Sequence, residues 1–205
     1  MKIICIDRNY DAPGDEPYDG CLGNEPVLFL KPNTVLQRNR RTFFVPDLSA
    51  DFRFGMEIVV RIDRLGKSIA RRFGSRYYNE VSTCVSITEY SLLNRLKKDG
   101  KPWEISHAFD NSAVVGKFIP LSLISTGIDN IDFRLDADKQ TVMSGNTKNM
   151  LFTVEEIIEY ASRYFTLSTG DLIFTGAPAE TVRLDAETRV EGYVQDRKVL
   201  EFKVR

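Results

Sequence analysis

Few residues in this chain are able to do chemistry, and their scarcity is itself informative. Among 205 residues there is a single histidine, His107, and three cysteines, Cys5, Cys21 and Cys84. One histidine excludes a multi-histidine zinc site. Any serine–histidine or cysteine–histidine nucleophile would have to use His107. The cysteines lack metal-ligand spacing, and their odd number argues against a disulfide framework. They point to a reducing compartment, and the expectation is the cytoplasm. The most unusual placement is Glu57, in the stretch "DFRFGMEIVVRID" at 51–63. This stretch has the composition of a strand, whose side chains alternate between faces. Phe54, Met56, Ile58 and Val60 share one face; Gly55, Glu57 and Val59 share the other. A bare glycine and a lone glutamate side by side mean either an exposed edge, with Glu57 in water, or a ligand site.

The bulk composition narrows the classes of partner. Lys and Arg total 28, Asp and Glu 29, for a net charge of −1. That balance gives no electrostatic reason to expect nucleic acid or an anionic membrane. No apolar run approaches the ~18 residues of a membrane span. The start, "MKIICIDRNY", turns polar after Ile6, so no signal peptide is expected. Apolar residues make up 42% and charged residues 28%, as in an ordinary globular domain. One domain over 1–205 is the expectation.

The elements that must position Glu57 and His107 read mostly as strands. "KIICI" (2–6), "VLFLKP" (27–32), 54–62, "EVSTCVSI" (80–87) and "GDLIFTG" (170–176) are apolar strands. "TVLQRNRRTFFVP" (34–46) reads as a hairpin with a solvated basic turn. After residue 105, "SAVVGKFIP" gives more strand, and "NIDFRLDADKQTVMSG" and "RVEGYVQDRKVLEFKVR" read as hairpins, the first turning near Asp138. Helices are expected near 68–73, over 88–100 with Leu92, Leu93 and Leu96 as the apolar stripe, and from Thr153, where Thr153 and Glu156 form a capping box. The segment 11–26, rich in Pro, Gly and Asp, reads as a loop. The sum is an α+β fold dominated by β-structure.

Four blocks in order, "CIDRNY", "PVLFLKP", "GNTKNMLFTVEEIIEY" and "GDLIFTGAPA", with "GKPWEISHAFDNSA" between them, resemble the fumarylacetoacetate hydrolase superfamily, in its small acylpyruvase and hydroxydienoate isomerase branch. The resemblance spans essentially the whole chain. It implies a barrel-like mixed β-roll, usually a homodimer, and chemistry on 2-oxo acids or their enols. It also implies Mg2+ or Mn2+ held by a Glu-x-Glu strand and an Asp, a lysine beside the oxyanion, and a histidine–glutamate pair that activates water. Hard cations take oxygen ligands and stabilise enolate charge as Lewis acids.

Carried over residue by residue, the family pattern is incomplete. The Glu-x-Glu strand is Gly55-Met56-Glu57, the Asp falls at Ser86, and the lysine falls at His107. Loop 11–25 holds no histidine, Ala177 replaces a Thr, and Asn149 replaces an Asp. Arg8-Asn9-Tyr10, Lys31-Pro32, Asp110, Asp171, Thr175, Gly176 and Pro178 keep the pattern. The resemblance therefore implies Glu57 and His107 as the remaining catalytic positions, with Glu57 the only carboxylate left for a metal. Arg8, Lys31, Ser86, Thr175, Gly176 and Ala177 are the substrate-binding positions. One glutamate cannot build the octahedral oxygen cage that Mg2+ demands, so no tightly bound divalent cation is expected. Three readings stay open at this point. The chain is a family member without the metal chemistry that binds a small carboxylate, an active enzyme rebuilt on Glu57 and His107, or a non-enzymatic structural or ligand-binding dimer.

Overall fold

The computed structural model describes residues 1–10, 25–38, 41–46, 50–178 and 181–205. The segment 11–24, most of the expected loop, lies outside the described residues. The chain runs through β1 (Ile3–Asp7), β2 (Val27–Lys31), β3 (Leu36–Arg38), β4 (Thr42–Phe43) and the long β5 (Phe52–Ile62). A 3-10 helix at Arg71–Tyr77 leads into β6 (Tyr78–Glu89), then helix α1 (Tyr90–Lys98). β7 (Ala113–Val115), β8 (Ile119–Pro120), β9 (Asp132–Ala137) and β10 (Gln140–Asn146) follow. Helix α2 (Val154–Tyr164), β11 (Leu172–Phe174), β12 (Arg189–Val194) and β13 (Arg197–Val204) complete the mostly-β fold.

Two sheets carry these strands. The first has the order β2-β1-β11-β5-β6-β7-β3, with β8 also pairing β6; the second runs β10-β9-β12-β13-β4. β5 lies inside the first sheet, with β6 on one side and β11 on the other. An exposed edge for Glu57 is thereby excluded. The antiparallel register of β5 and β6 sets Gly55 opposite Ser86 and Glu57 opposite Cys84.

Alternation along β5 decides what each face touches. Phe54, Met56, Ile58 and Val60 are fully buried against Phe133, Leu135, Val190, Leu200 and Phe202 of the second sheet. Each such side chain contributes roughly 1.5–3 kcal/mol by leaving water. On the opposite face Val59 and Cys84 join a smaller cluster with Ile3, Cys5, Val35 and Phe174. Glu57 sits on that second face, at the end of an apolar patch.

Helix α2 starts where the sequence places it. The Thr153 amide donates to the Glu156 carboxylate at 2.8 Å, and the Glu156 amide donates to the Thr153 hydroxyl at 3.4 Å. Val154, Ile157, Ile158 and Ala161 are its buried face. The turn between β9 and β10 uses Asp138 and Lys139 at φ 47° and 70°, the left-handed pair of a tight hairpin.

Three expectations are corrected. The segment 34–46 is not a hairpin: β3 pairs β7 in the first sheet, while β4 pairs β13 in the second, both in parallel. Alternation shows that strands exist and is silent on their partners. The helix near 68–73 is instead the 3-10 turn at Arg71–Tyr77. The helix over 88–100 is shorter, because β6 continues to Glu89, whose carboxylate caps α1 by accepting the Leu92 amide at 2.7 Å.

One side chain ties β1, α2 and β11 together beneath the site. The Asn9 amide group donates to the carbonyls of Phe152 and Thr175 at 3.1 and 2.8 Å, and its oxygen accepts the Phe152 amide at 2.8 Å. Asn9 is fully buried, so truncation would strand these groups without water. Each buried polar group left unpaired costs about 1–3 kcal/mol. We therefore expect Asn9→Ala to lower the urea midpoint clearly at unchanged slope; an unaltered midpoint would show that the clasp contributes nothing.

Candidate functional site

Glu57 is 5% exposed, and each of its carboxylate oxygens has a donor. The Ser86 hydroxyl donates to Oε1 at 2.7 Å, and the Gly176 amide donates to Oε2 at 2.6 Å. Burial pushes the carboxyl up from its ordinary value, while the Ser86 hydroxyl, the Lys31 charge, the Gly176 amide and the Cys84 thiol pull it back. The two glycines beside it have different reasons to be there. Gly176 has φ +90°, and a Cβ on it would lie 3.0 Å from Asn9 Cβ and 3.2 Å from the Ile6 carbonyl oxygen. Only glycine fits there, and that fit aims the amide at Glu57. Gly55 has ordinary φ, and a Cβ there would meet Thr181 Cγ2 at 3.1 Å and Ala177 Cβ at 3.4 Å. The backbone does not require glycine at 55.

A cavity of about 550 Å3 opens over this carboxylate. Of the residues expected from the sequence, Arg8, Lys31, Gly55, Glu57, Ser86, His107, Gly176 and Ala177 all line it. Thr175 does not. It is fully buried, and its hydroxyl donates to the Ile58 carbonyl at 2.9 Å. Its contribution is to hold the end of β11 against β5, so the expected substrate contact is corrected. Tyr10, Arg53, Lys97 and Trp103 also line the cavity and were missed as site residues. Tyr10 and Trp103 fall within sequence blocks that carried the resemblance, so that signal was present. Arg53 and Lys97 come from a strand end and a helix face, where their charges read as solvated.

Among the described lining residues the cations are Arg8, Lys31, Arg53 and Lys97, and the anions are Asp7 and Glu57. Arg53 is partly committed, through an ion pair to Asp51 at 3.1 Å and a stack on Tyr90. Lys97 lies over the Trp103 ring at 5.1 Å. Lys31, at the end of β2, is 4% exposed. Its charge acts on Glu57, Cys5, Cys84 and His107 together, which places it at the centre of the group.

His107 is 4% exposed and wedged between Phe29 and Trp103, with ring centroids 4.7 and 5.0 Å away. The Ser112 hydroxyl donates to its carbonyl at 2.9 Å and fixes the backbone. Among the described residues its Nε2 has no hydrogen-bond partner, and neither does the hydroxyl of nearly buried Tyr10. Burial, then the charges of Lys31 and Lys97, push the imidazole down to about 3. The ring is therefore neutral at physiological pH. Tyr10 and His107 both line the cavity, whereas Thr83 Oγ1 and Glu89 Oε1, the other buried side-chain atoms without a partner among the described residues, belong to residues that do not.

Among the described residues, no group of three or more His, Cys, Asp or Glu side chains is placed to hold a metal ion. No helix among them is long and apolar enough to cross a membrane.

Known proteins share this arrangement of strands. The oxaloacetate tautomerase YcgM of Escherichia coli is 28% identical over 177 residues, covering 86% of this chain and 80% of that protein. A mitochondrial oxaloacetate tautomerase of Arabidopsis thaliana is 30% identical over 181 residues, covering 86% and 78%. A fumarylpyruvate hydrolase of Pseudomonas aeruginosa, solved in complex with Mn2+ and pyruvate, superposes with a TM-score of 0.88 at 25% identity, covering all of this chain and 89% of that one. The family described as fumarylacetoacetate (FAA) hydrolase, C-terminal, matches residues 2–205, and the chain belongs to that family.

Proposed function

We propose that the cavity takes a small 2-oxo acid or its enol, and that it does so without a tightly held divalent cation. The observation that carries the first half is the cationic wall around Lys31, with unpaired polar atoms beside it. A carboxylate supplies a negative charge, and its oxo or enol oxygen can meet the orphaned donors and acceptors. The oxaloacetate tautomerases and the fumarylpyruvate hydrolase that resemble this chain support the same class. An open cavity of about 550 Å3 beside Glu57 argues against a purely structural role.

The donor set supports the second half. Where the family's ligands would stand, this chain has a glycine, a serine hydroxyl and one carboxylate whose two oxygens already accept hydrogen bonds. Mg2+ and Mn2+ favour several oxygen ligands. These residues do not fit the metal, and no step is assigned to it. Neutral His107 acts as a hydrogen-bonding partner for the ligand. In the reading with Glu57 as base and His107 as acid or oxyanion partner, the lowered imidazole favours the second role for His107, because the neutral ring still carries one N–H to donate.

The homodimer expected from the family belongs to the same proposal. Exposed Phe44 and Leu65, 66% and 70% accessible, offer apolar surface for it. The free, buried thiols of Cys5 and Cys84 suit the cytoplasm as its compartment.

Three measurements check this. Calorimetry should give pyruvate or oxalate the same affinity with and without EDTA, and the double change Gly55→Glu with Ser86→Asp should create Mn2+ binding that the parent lacks. Metal-dependent binding by the parent would overturn the reading. Affinity should show no titration from His107 between about pH 5 and 8. The sign follows from the lowered value: the neutral ring's contribution is complete above its ordinary pKa and is lost only as pH falls towards about 3. A midpoint near the ordinary imidazole value that disappears in His107→Gln would contradict this. Sedimentation at micromolar concentration should report a dimer; a monomer at every concentration would remove that part.

A further inference from the structure

Lys31 has a feature that simple ligand binding does not explain. Its side chain is buried, it lines the cavity, and no described residue makes a hydrogen bond or ion pair with its nitrogen. The nitrogen is not among the sealed polar atoms that lack a partner, so it opens into the cavity, where a ligand can reach it. Lys31 lines the same cavity as Glu57 and His107, so its nitrogen and the ligand share one space.

The chemistry of the ligand class gives that nitrogen a task. Breaking a bond at the carbon next to a 2-oxo group needs an electron sink at C2. A divalent cation on the oxygen is one sink, and the residues here do not fit it. Hydrogen-bond donors on the developing oxyanion are a second, and an iminium, formed by a lysine amine and the ketone, is a third that holds the substrate covalently. The amine must reach the ketone carbon, and Lys31 lines the cavity.

We propose that Lys31 condenses with C2 of the bound 2-oxo acid and carries it as a covalent iminium. This rests on the reading of the cavity as a 2-oxo acid site. The balance closes without any further reactant. One ammonium proton passes to a neighbouring base, and Glu57 is the carboxylate that the Lys31 charge reaches. The Nζ lone pair then forms the N–C2 bond while the carbonyl π pair moves to oxygen. A second proton moves from nitrogen to that oxygen, giving the carbinolamine. The first proton returns to the hydroxyl, the C–O bond breaks, and water leaves. Ammonium and ketone have become iminium and water, with charge and protons conserved. A C3–H or C3–carboxylate bond can then release its electron pair into the iminium as an enamine, losing a proton or carbon dioxide.

The test is reductive trapping on the intact protein. Pyruvate and sodium cyanoborohydride are added, followed by intact-mass measurement and peptide mapping. The expected product is one adduct with the mass of pyruvate less an oxygen atom, on the peptide that contains Lys31. Excess oxalate, which has no ketone, should suppress it by occupying the cavity. Lys31→Arg keeps the positive charge and should lose the adduct. If that variant fails to fold, the map of the parent with and without oxalate still decides. Pyruvate binding by calorimetry with no adduct at Lys31, or labelling spread over surface lysines and insensitive to oxalate, overturns the covalent role and leaves the cavity reading standing. No binding of either acid removes the cavity reading, and the covalent role with it.

Discussion

A carboxylate held out of water in the middle of a sheet is the constraint on which the rest depends. Glu57 has no route to bulk solvent through its own strand, because β6 and β11 flank it. A buried carboxylate persists only if its oxygens are satisfied. Ser86 supplies one donor from β6, and Gly176 supplies the other from the turn after β11. The second donor needs a left-handed glycine in close approach to Asn9 and Ile6. Asn9 then ties that turn to the start of α2. A chain of local requirements thus runs from one side chain through two strands, a turn and a helix.

Charge on the cavity wall follows the same logic. Several cations near one another raise the local potential and penalise any further positive charge. His107 feels this directly: its burial and the neighbouring lysines keep it neutral. Among the described residues, an imidazole nitrogen and a tyrosine hydroxyl without partners belong to the same cavity wall as Lys31. The apolar ring faces of Phe29 and Trp103 exclude water from one side of the imidazole and sharpen these interactions.

Three residues on the cavity wall shape its charge together. Glycine at 55 is not demanded by backbone geometry and adds none, serine at 86 donates to the Glu57 carboxylate, and histidine at 107 is held neutral by burial and by the charges of Lys31 and Lys97.

The strands, the capping box at Thr153, the turn at Asp138 and the two faces of β5 were legible in the sequence, because alternation, helical period and turn chemistry are local properties. The family was legible as well, because its blocks keep their order and spacing. The partners of β3 and β4 were not, since two adjacent strands with similar patterns joined different sheets. Neither was the role of Thr175, whose hydroxyl turned to a backbone carbonyl, nor the membership of Arg53 and Lys97 in the site. The sequence by itself determined which residue types are available for chemistry and which faces they occupy. The tertiary structure alone decided which of them share one cavity and which end without a partner, because burial, field and hydrogen-bond satisfaction depend on neighbours distant along the chain.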